Sequence, residues 1–157
     1  MNWSTGAFRV ALASLSLFCV AGTAQAGGQQ TFASRCSMCH QPTGAGLPGT
    51  FPRLAGRAAQ IASTPDGRGY LVKVLANGLY GPITVDGKAI SGMMPGMGTM
   101  SDQDIADVLN YAVSLKKVGK PALYTAAEVA KIRADGKMSA SAVAAERARV
   151  AAKGAIP

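Results

Sequence analysis

From Val10 to Gly22 the chain is almost wholly apolar, a run shorter than the ~20 residues needed to cross a bilayer. Residues 27–35 are polar apart from Phe32 and predict a helix that runs on into 36–40. Gln41 to Gly56 then carries four glycines and three prolines, which rules out a regular element. Thr64-Pro65-Asp66-Gly67 reads as a turn. Over Gly69 to Asn77 the stripe Leu71, Val72, Val74, Leu75 predicts a short helix stopped by Asn77-Gly78. Ile83-Thr84-Val85 and Lys88-Ala89-Ile90 flank Asp86-Gly87, the dipeptide of a type I′ hairpin turn.

Ser91 to Met100 is irregular in composition, and Ser101 with Asp104 caps the next helix. Ile105, Val108, Leu109, Ala112 and Val113 give that helix its apolar face. Pro121 ends it. Thr125 to Glu128 forms a second capping box, and Ala-rich stretches near 126–134 and 140–152, separated by Asp135-Gly136, predict two more helices. The chain is therefore expected to be mainly α, with one small hairpin and a helical C-terminal extension that either wraps back or frays. The bases of that extension (Lys131, Arg133, Lys137, Arg147, Arg149, Lys153) outnumber its acids. This pattern reads as a solvated helical face rather than a dedicated docking element.

The chemistry is concentrated in Cys36-Ser37-Met38-Cys39-His40, the spacing that attaches a c-type haem. On one helical turn the two cysteines share a face, so each can form a thioether to one of two neighbouring vinyl groups, and His40 is left to meet the iron. A four-ligand zinc site would need a second cluster, yet no cysteine or histidine follows position 40. A thioredoxin-like dithiol would need a β-α-β setting that the flanking residues do not offer.

Arg9, the apolar run and Ala24-Gln25-Ala26 together read as a signal peptide cleaved after Ala26, which implies export to the periplasm. Phe18 is too bulky for the position before a lipid-attachment cysteine, so Cys19 is expected to leave with the leader. Cleavage leaves about 131 residues, enough for one domain, with both remaining cysteines in the haem motif. No disulfide is then available. Of 16 basic residues against eight acidic ones the leader removes only Arg9, leaving a net charge of about +7 before haem propionates. Such a charge suits an acidic protein partner, or an anionic membrane surface, better than nucleic acid, for which there is no motif. Membrane contact is expected only through the partner or an uncleaved leader.

With the motif flanked in this way, the sequence resembles a class I c-type cytochrome over residues 27–117, between a signal peptide at 1–26 and the extension at 118–157. The resemblance implies N- and C-terminal helices crossing around one covalent haem c. In the family a glycine eight and an aromatic four residues before the first haem cysteine serve that crossing, and Gly28 and Phe32 stand there. A proline carbonyl within a Pro-x-Leu-x-Gly run accepts the Nδ1–H of the haem histidine; Pro52, Leu54 and Gly56 match, with Pro48 as a second candidate. Such a bond fixes the imidazole tautomer and raises its basicity. The hairpin resembles an insertion in bacterial cytochromes c that serve periplasmic dehydrogenases. Tyr70 and Tyr80 either reach propionates or pack locally.

Met93, Met94, Met97 and Met100 crowd the loop before the capped helix. Four methionines so close could form an adaptable core patch or a Cu(I) cluster. The family carries its distal ligand in a Met-Pro dipeptide, and only Met94-Pro95 matches, with Tyr111 the aromatic 17 positions on. The resemblance thus implies His40 and Met94 as axial ligands, with Met97 or an open site as alternatives. Histidine and methionine together are the ligands of electron-transfer cytochromes. The expected function is a periplasmic single-electron carrier, not an independent enzyme, whose partner is an acidic redox protein such as a dehydrogenase or terminal oxidase. A gas sensor or peroxidase-like catalyst with an open sixth site, and a fixed electron-transfer subunit of a dehydrogenase, are the alternatives.

Overall fold

The computed structural model describes Met1 and residues 23–157, so the leader expected at 1–26 falls almost entirely outside the described residues. Helix α1 spans Thr23–Arg35, and after a break at Cys36 a single turn, α2, covers Ser37–His40. α3 is Arg57–Ile61, α4 Pro65–Asn77, and α5 Asp102–Ser114. Strands β1 (Leu79–Val85) and β2 (Lys88–Met94) form the one two-stranded antiparallel sheet among the described residues, and α6 (Ala126–Arg133) and α7 (Ala140–Ala152) complete the chain. No described helix is long and apolar enough to cross a membrane.

The framework is the crossing of α1 over α5. Phe32 is fully buried, and its ring lies 5.3 Å from that of Tyr111 at 56°, a tilted pair of the kind aromatic quadrupoles favour. At Gly28 the helices come so close that a Cβ would stand 2.2 Å from the Asp107 carbonyl oxygen. Only glycine fits there. α5 begins as its sequence requires, with the Ser101 hydroxyl accepting from the Asp104 amide at 3.1 Å and donating to the Asp104 carboxylate at 2.6 Å. Ile105, Val108 and Leu109 then face the core.

Three elements differ from their sequence reading, the first being α5, which ends at Ser114 and not at Pro121. The segment 64–67 is a helix start and not a free turn: Thr64 is the N-cap of α4, accepting from the Gly67 amide at 3.1 Å, and Pro65 occupies the first helical position, where its missing N–H costs nothing. The hairpin is longer than 83–90, pairing Leu79 with Met94 at its open end. Gly81, Pro82 and Gly92 are poor strand formers, and they extend the sheet because it has only two strands and Pro82 needs no ladder partner on its free edge. Asp86 and Gly87 both have positive φ (51° and 73°), as the tight turn demands. α3 had no signal in the sequence.

The extension folds back over the domain. Asn110 holds its beginning through both backbone groups of Tyr124, accepting from the amide at 2.7 Å and giving to the carbonyl at 3.0 Å. Arg68 grips Glu128 at 2.7 and 2.6 Å and lies 3.9 Å from the centre of the Tyr124 ring. Val129, Val143 and Val150 are buried, and α7 packs on β1 and α4. The outward faces of α6 and α7 remain solvated.

Candidate functional site

One apolar cavity of about 290 Å³ is lined by Cys36, Cys39, His40, Pro52, Leu54 and Met94. These six residues therefore border the same space, whereas the alternatives Pro48, Met97 and Tyr80 do not line it. The α2 turn presents the two cysteines and His40 from one wall. β2 delivers Met94 at its last position, where Pro95 cannot continue the ladder. Leu71, Leu75, Leu79, Val108 and Leu109 supply much of the rest, so side chains from α4, β1 and α5 make the wall apolar.

His40 is buried, and its Nδ1 lies 2.9 Å from the Pro52 carbonyl oxygen, an acceptor that requires the proton on Nδ1. The other ring nitrogen is then a free lone pair. Burial holds the imidazole below its usual pKa, with the Pro52 bond pulling the other way, so the ring is neutral and fit to bind a metal. Pro48 makes no such contact. The Pro52 loop is itself pinned by the amides of Leu54 and Ala55, which both donate to the Gly44 carbonyl at 2.8 and 2.9 Å. Burial also pushes the Cys36 thiol up to about 11, so it is held as the neutral S–H, the form that could add to a vinyl group of a haem bound here.

The four methionines are separated by register. In the hairpin Met93 pairs with the exposed Tyr80, whereas Met94 pairs with the buried Leu79, and successive side chains of a strand point to opposite faces. Met94 is thus packed against the core, while Met93 is largely exposed even though it too borders the cavity. Met97 packs against the core without lining the cavity, and Met100 is buried. The loop is held by the Met97 amide, which donates to the Leu75 carbonyl at 2.8 Å, and by Arg133, which donates to the carbonyls of Gly98 and Met100 at 2.8 and 3.1 Å.

Three residues of this cavity were not found from the sequence. Arg57, at the start of α3, is buried, as is Ile156, while Arg147 comes from α7 and donates to the Thr84 carbonyl at 2.9 Å. Arg57 donates to the Pro157 carbonyl and has Asp86 at 3.8 Å, an acid already bound by Arg53 at 2.8 Å. Burial first, and then the neighbouring Arg147 guanidinium, hold Arg57 below its usual pKa. Tyr70 lies buried beside them, its hydroxyl pKa raised by burial against the pull of both arginines. Tyr80 is on the outer face. A buried guanidinium is costly unless anionic groups join it. The cavity is accordingly apolar along its length and cationic at this corner, which fits an amphiphilic macrocycle with acid side arms.

Such a cavity defines a class, that of proteins that hold a haem covalently and use it to pass electrons. The family model for cytochrome c matches residues 25–116. This chain belongs to the cytochrome c family, and it is an electron-transfer protein that carries haem c. Cytochrome c-552 of Thermus thermophilus is 42% identical over 134 residues, covering 83% of this chain and 89% of its own. The cytochrome c subunit of a quinone alcohol dehydrogenase from Gluconacetobacter polyoxogenes is 35% identical over 116 residues, or 73% of this chain, which spans only 24% of that subunit. The corresponding subunit from Gluconobacter oxydans is 31% identical over 111 residues.

Proposed function

We propose that this chain is an exported, periplasmic single-electron carrier in which His40 and Met94 are the axial ligands, Cys36 and Cys39 the attachment points, and Pro52 and Leu54 part of the pocket. Haem c held there supplies a one-electron ferrous–ferric couple. The observation that carries the reading is that His40 and Met94 border one apolar-walled cavity, with the Pro52 carbonyl holding the Nδ1 proton so that the other ring nitrogen is left to bind a metal. Two ligands from anchored segments leave no position for exchange. The apolar wall disfavours net charge and, with a thioether ligand, raises the reduction potential. Arg57, Arg147 and Tyr70 hold the propionates at the cationic corner and offset their charge.

The partner is a redox protein of the dehydrogenase kind, a reading supported by the two dehydrogenase subunits among the relatives. A net charge of about +7 on the exported chain draws an acidic partner at long range. Those same relatives favour a second reading, in which the chain is a fixed subunit of a dehydrogenase. Copurification of a larger subunit with the native protein separates the two.

The test is an optical spectrum of the dithionite-reduced holoprotein before and after carbon monoxide. An unchanged spectrum is expected, together with a carbon monoxide-sensitive one for Met94→Ala and an unchanged one for Met93→Ala. If the wild type responds at low gas concentration, the sixth position is open, and a sensor or catalyst replaces the carrier.

A further inference from the structure

The loop from Gln41 to Gly56 carries the carbonyl that meets His40, and its own bonds give it most of its shape. The Gly46 amide donates to the His40 carbonyl at 3.0 Å, Leu47 and Phe51 exchange amide–carbonyl bonds of 2.9 and 2.8 Å, and Leu54 and Ala55 close on Gly44. The residue directly after Pro52 reaches outside the loop. Arg53 donates from Nε and Nη2 to the two oxygens of Asp86, each at 2.8 Å, and from Nη1 back to the Ala55 carbonyl. Among the described residues no other hydrogen bond joins this loop to the hairpin of β1 and β2.

Asp86 stands in the turn of that hairpin, with a φ of 51°. The ladder behind it holds the turn in place, and Arg147 of α7 adds its bond to the neighbouring Thr84 carbonyl. The carboxylate is thus presented from a braced element to a loop whose other bonds are to residues near it in sequence. A lone pair as exposed as this one adds little to stability. Direction is another matter: a planar guanidinium that meets a carboxylate with two parallel bonds is fixed in orientation as well as distance. Its third bond ties the same group to the backbone two residues on, so Pro52 lies between this clamp and the Leu47–Phe51 bridge.

We infer that Asp86 is a positioning residue for the proximal ligand: by gripping Arg53 from the hairpin turn, it holds the adjacent Pro52 carbonyl at 2.9 Å from His40 Nδ1 and so sets how firmly the imidazole proton is bound. A carbonyl fixed on that proton raises the basicity of the other ring nitrogen, which favours ferric over ferrous iron. The inference rests on His40 being an iron ligand, as proposed above, and not on which residue takes the sixth position.

The test compares holoproteins in the reduced, diamagnetic state by proton NMR. Exchange of the His40 Nδ1 proton with deuterium should be about tenfold faster in Asp86→Asn than in the wild type. Lys153→Gln breaks an exposed pair of similar length, with Asp66 at 2.8 Å, and should leave that exchange within about twofold. Losing the Asp86 charge by itself also favours the ferrous state, so the potential is read in the double variant Arg53→Gln/Asp86→Asn, whose net charge equals that of the wild type. There the ferric–ferrous equilibrium should still move about threefold toward ferrous, or ~28 mV at 59 mV per tenfold, with the proton exchanging as fast as in Asp86→Asn.

A double variant with the wild-type potential would overturn the inference, because the pair would then act through its charges alone. Proton exchange unmoved in Asp86→Asn, or quickened as much by Lys153→Gln, would overturn it too. Wild-type His40 ring C–H signals without the strong upfield shift of a haem ring current would mean that the ligand reading itself fails, and this inference with it. If the shift is present and the exchange is unmoved, only the clamp fails.

Discussion

Adding one methyl group at Gly28 should weaken the protein, while the same change at Gly69 should strengthen it. Both glycines lie inside helices, where alanine is intrinsically better by ~0.5–1 kcal/mol. At Gly69 a Cβ meets nothing within 4 Å, so the full gain is expected. At Gly28 the Cβ would stand 2.2 Å from the Asp107 carbonyl oxygen, 2.7 Å from its carbon and 3.2 Å from the Tyr111 Cβ. A tolerable contact requires α1 and α5 to separate by about 1 Å, which also loosens the Phe32–Tyr111 pair; overpacking of this kind costs ~1–3 kcal/mol. Net of the propensity gain, Gly28→Ala should be destabilised by about 1–2 kcal/mol, or several degrees in Tm for a domain of this size. Guanidinium melts of the two holoproteins, followed by far-UV circular dichroism, measure both. A Gly28→Ala variant as stable as Gly69→Ala would refute the close-packed crossing.

Arg147→Gln removes a cation from the polar corner of the cavity, so the oxidised state gains relative to the reduced one. The reduction potential should fall by a few tens of millivolts, on the scale of ~1 kcal/mol for a partly screened charge, as read by potentiometric titration. Asp86→Asn keeps a residue that tolerates positive φ but breaks the pair with Arg53. The side-chain bond from Arg53 holds the Asp86 carboxyl below its usual pKa, so its stabilisation is present above the unfolded value near 4 and is lost as pH falls through the folded one. Both groups are substantially exposed, so the loss at pH 7 should be under about 1 kcal/mol and should vanish in melts at pH 2–3. Asn110→Ala strands the Tyr124 amide and carbonyl; a loss of ~1–3 kcal/mol is expected, with faster proteolysis near 118–125.

The features that could be read in the sequence were those whose cause is local. The haem motif needs only its own turn, Ser101 and Thr125 cap the helices directly after them, and Asp86-Gly87 sets its hairpin without outside help. The α1–α5 crossing was legible only through the resemblance, which put Gly28, Phe32 and Tyr111 at the family's places; the structure supplies the reason, a close approach that leaves no room for a Cβ at Gly28. Thr64 to Gly67 was misread because a turn and a proline-started helix share their residues, and the two differ only in whether the next residues continue as a helix. The hairpin's length was hidden by Gly81, Pro82 and Gly92. Arg57 and Arg147 were invisible as partners since 90 positions separate them, and no periodicity links a lone base in an alanine-rich run to a cavity across the molecule.

That long separation bears on how the molecule is assembled. Arg147 and Ile156 form part of the wall around the attachment site, yet they are the last portion of that wall to be synthesised. Without α7 and the residues after it, the cavity would lack the side that Arg147 and Ile156 supply. The C-terminal extension is thus part of the cavity's wall and not an appendage to it. Since the two arginines of that corner repel each other, an anion bound there would tie α7 more firmly to the rest of the domain.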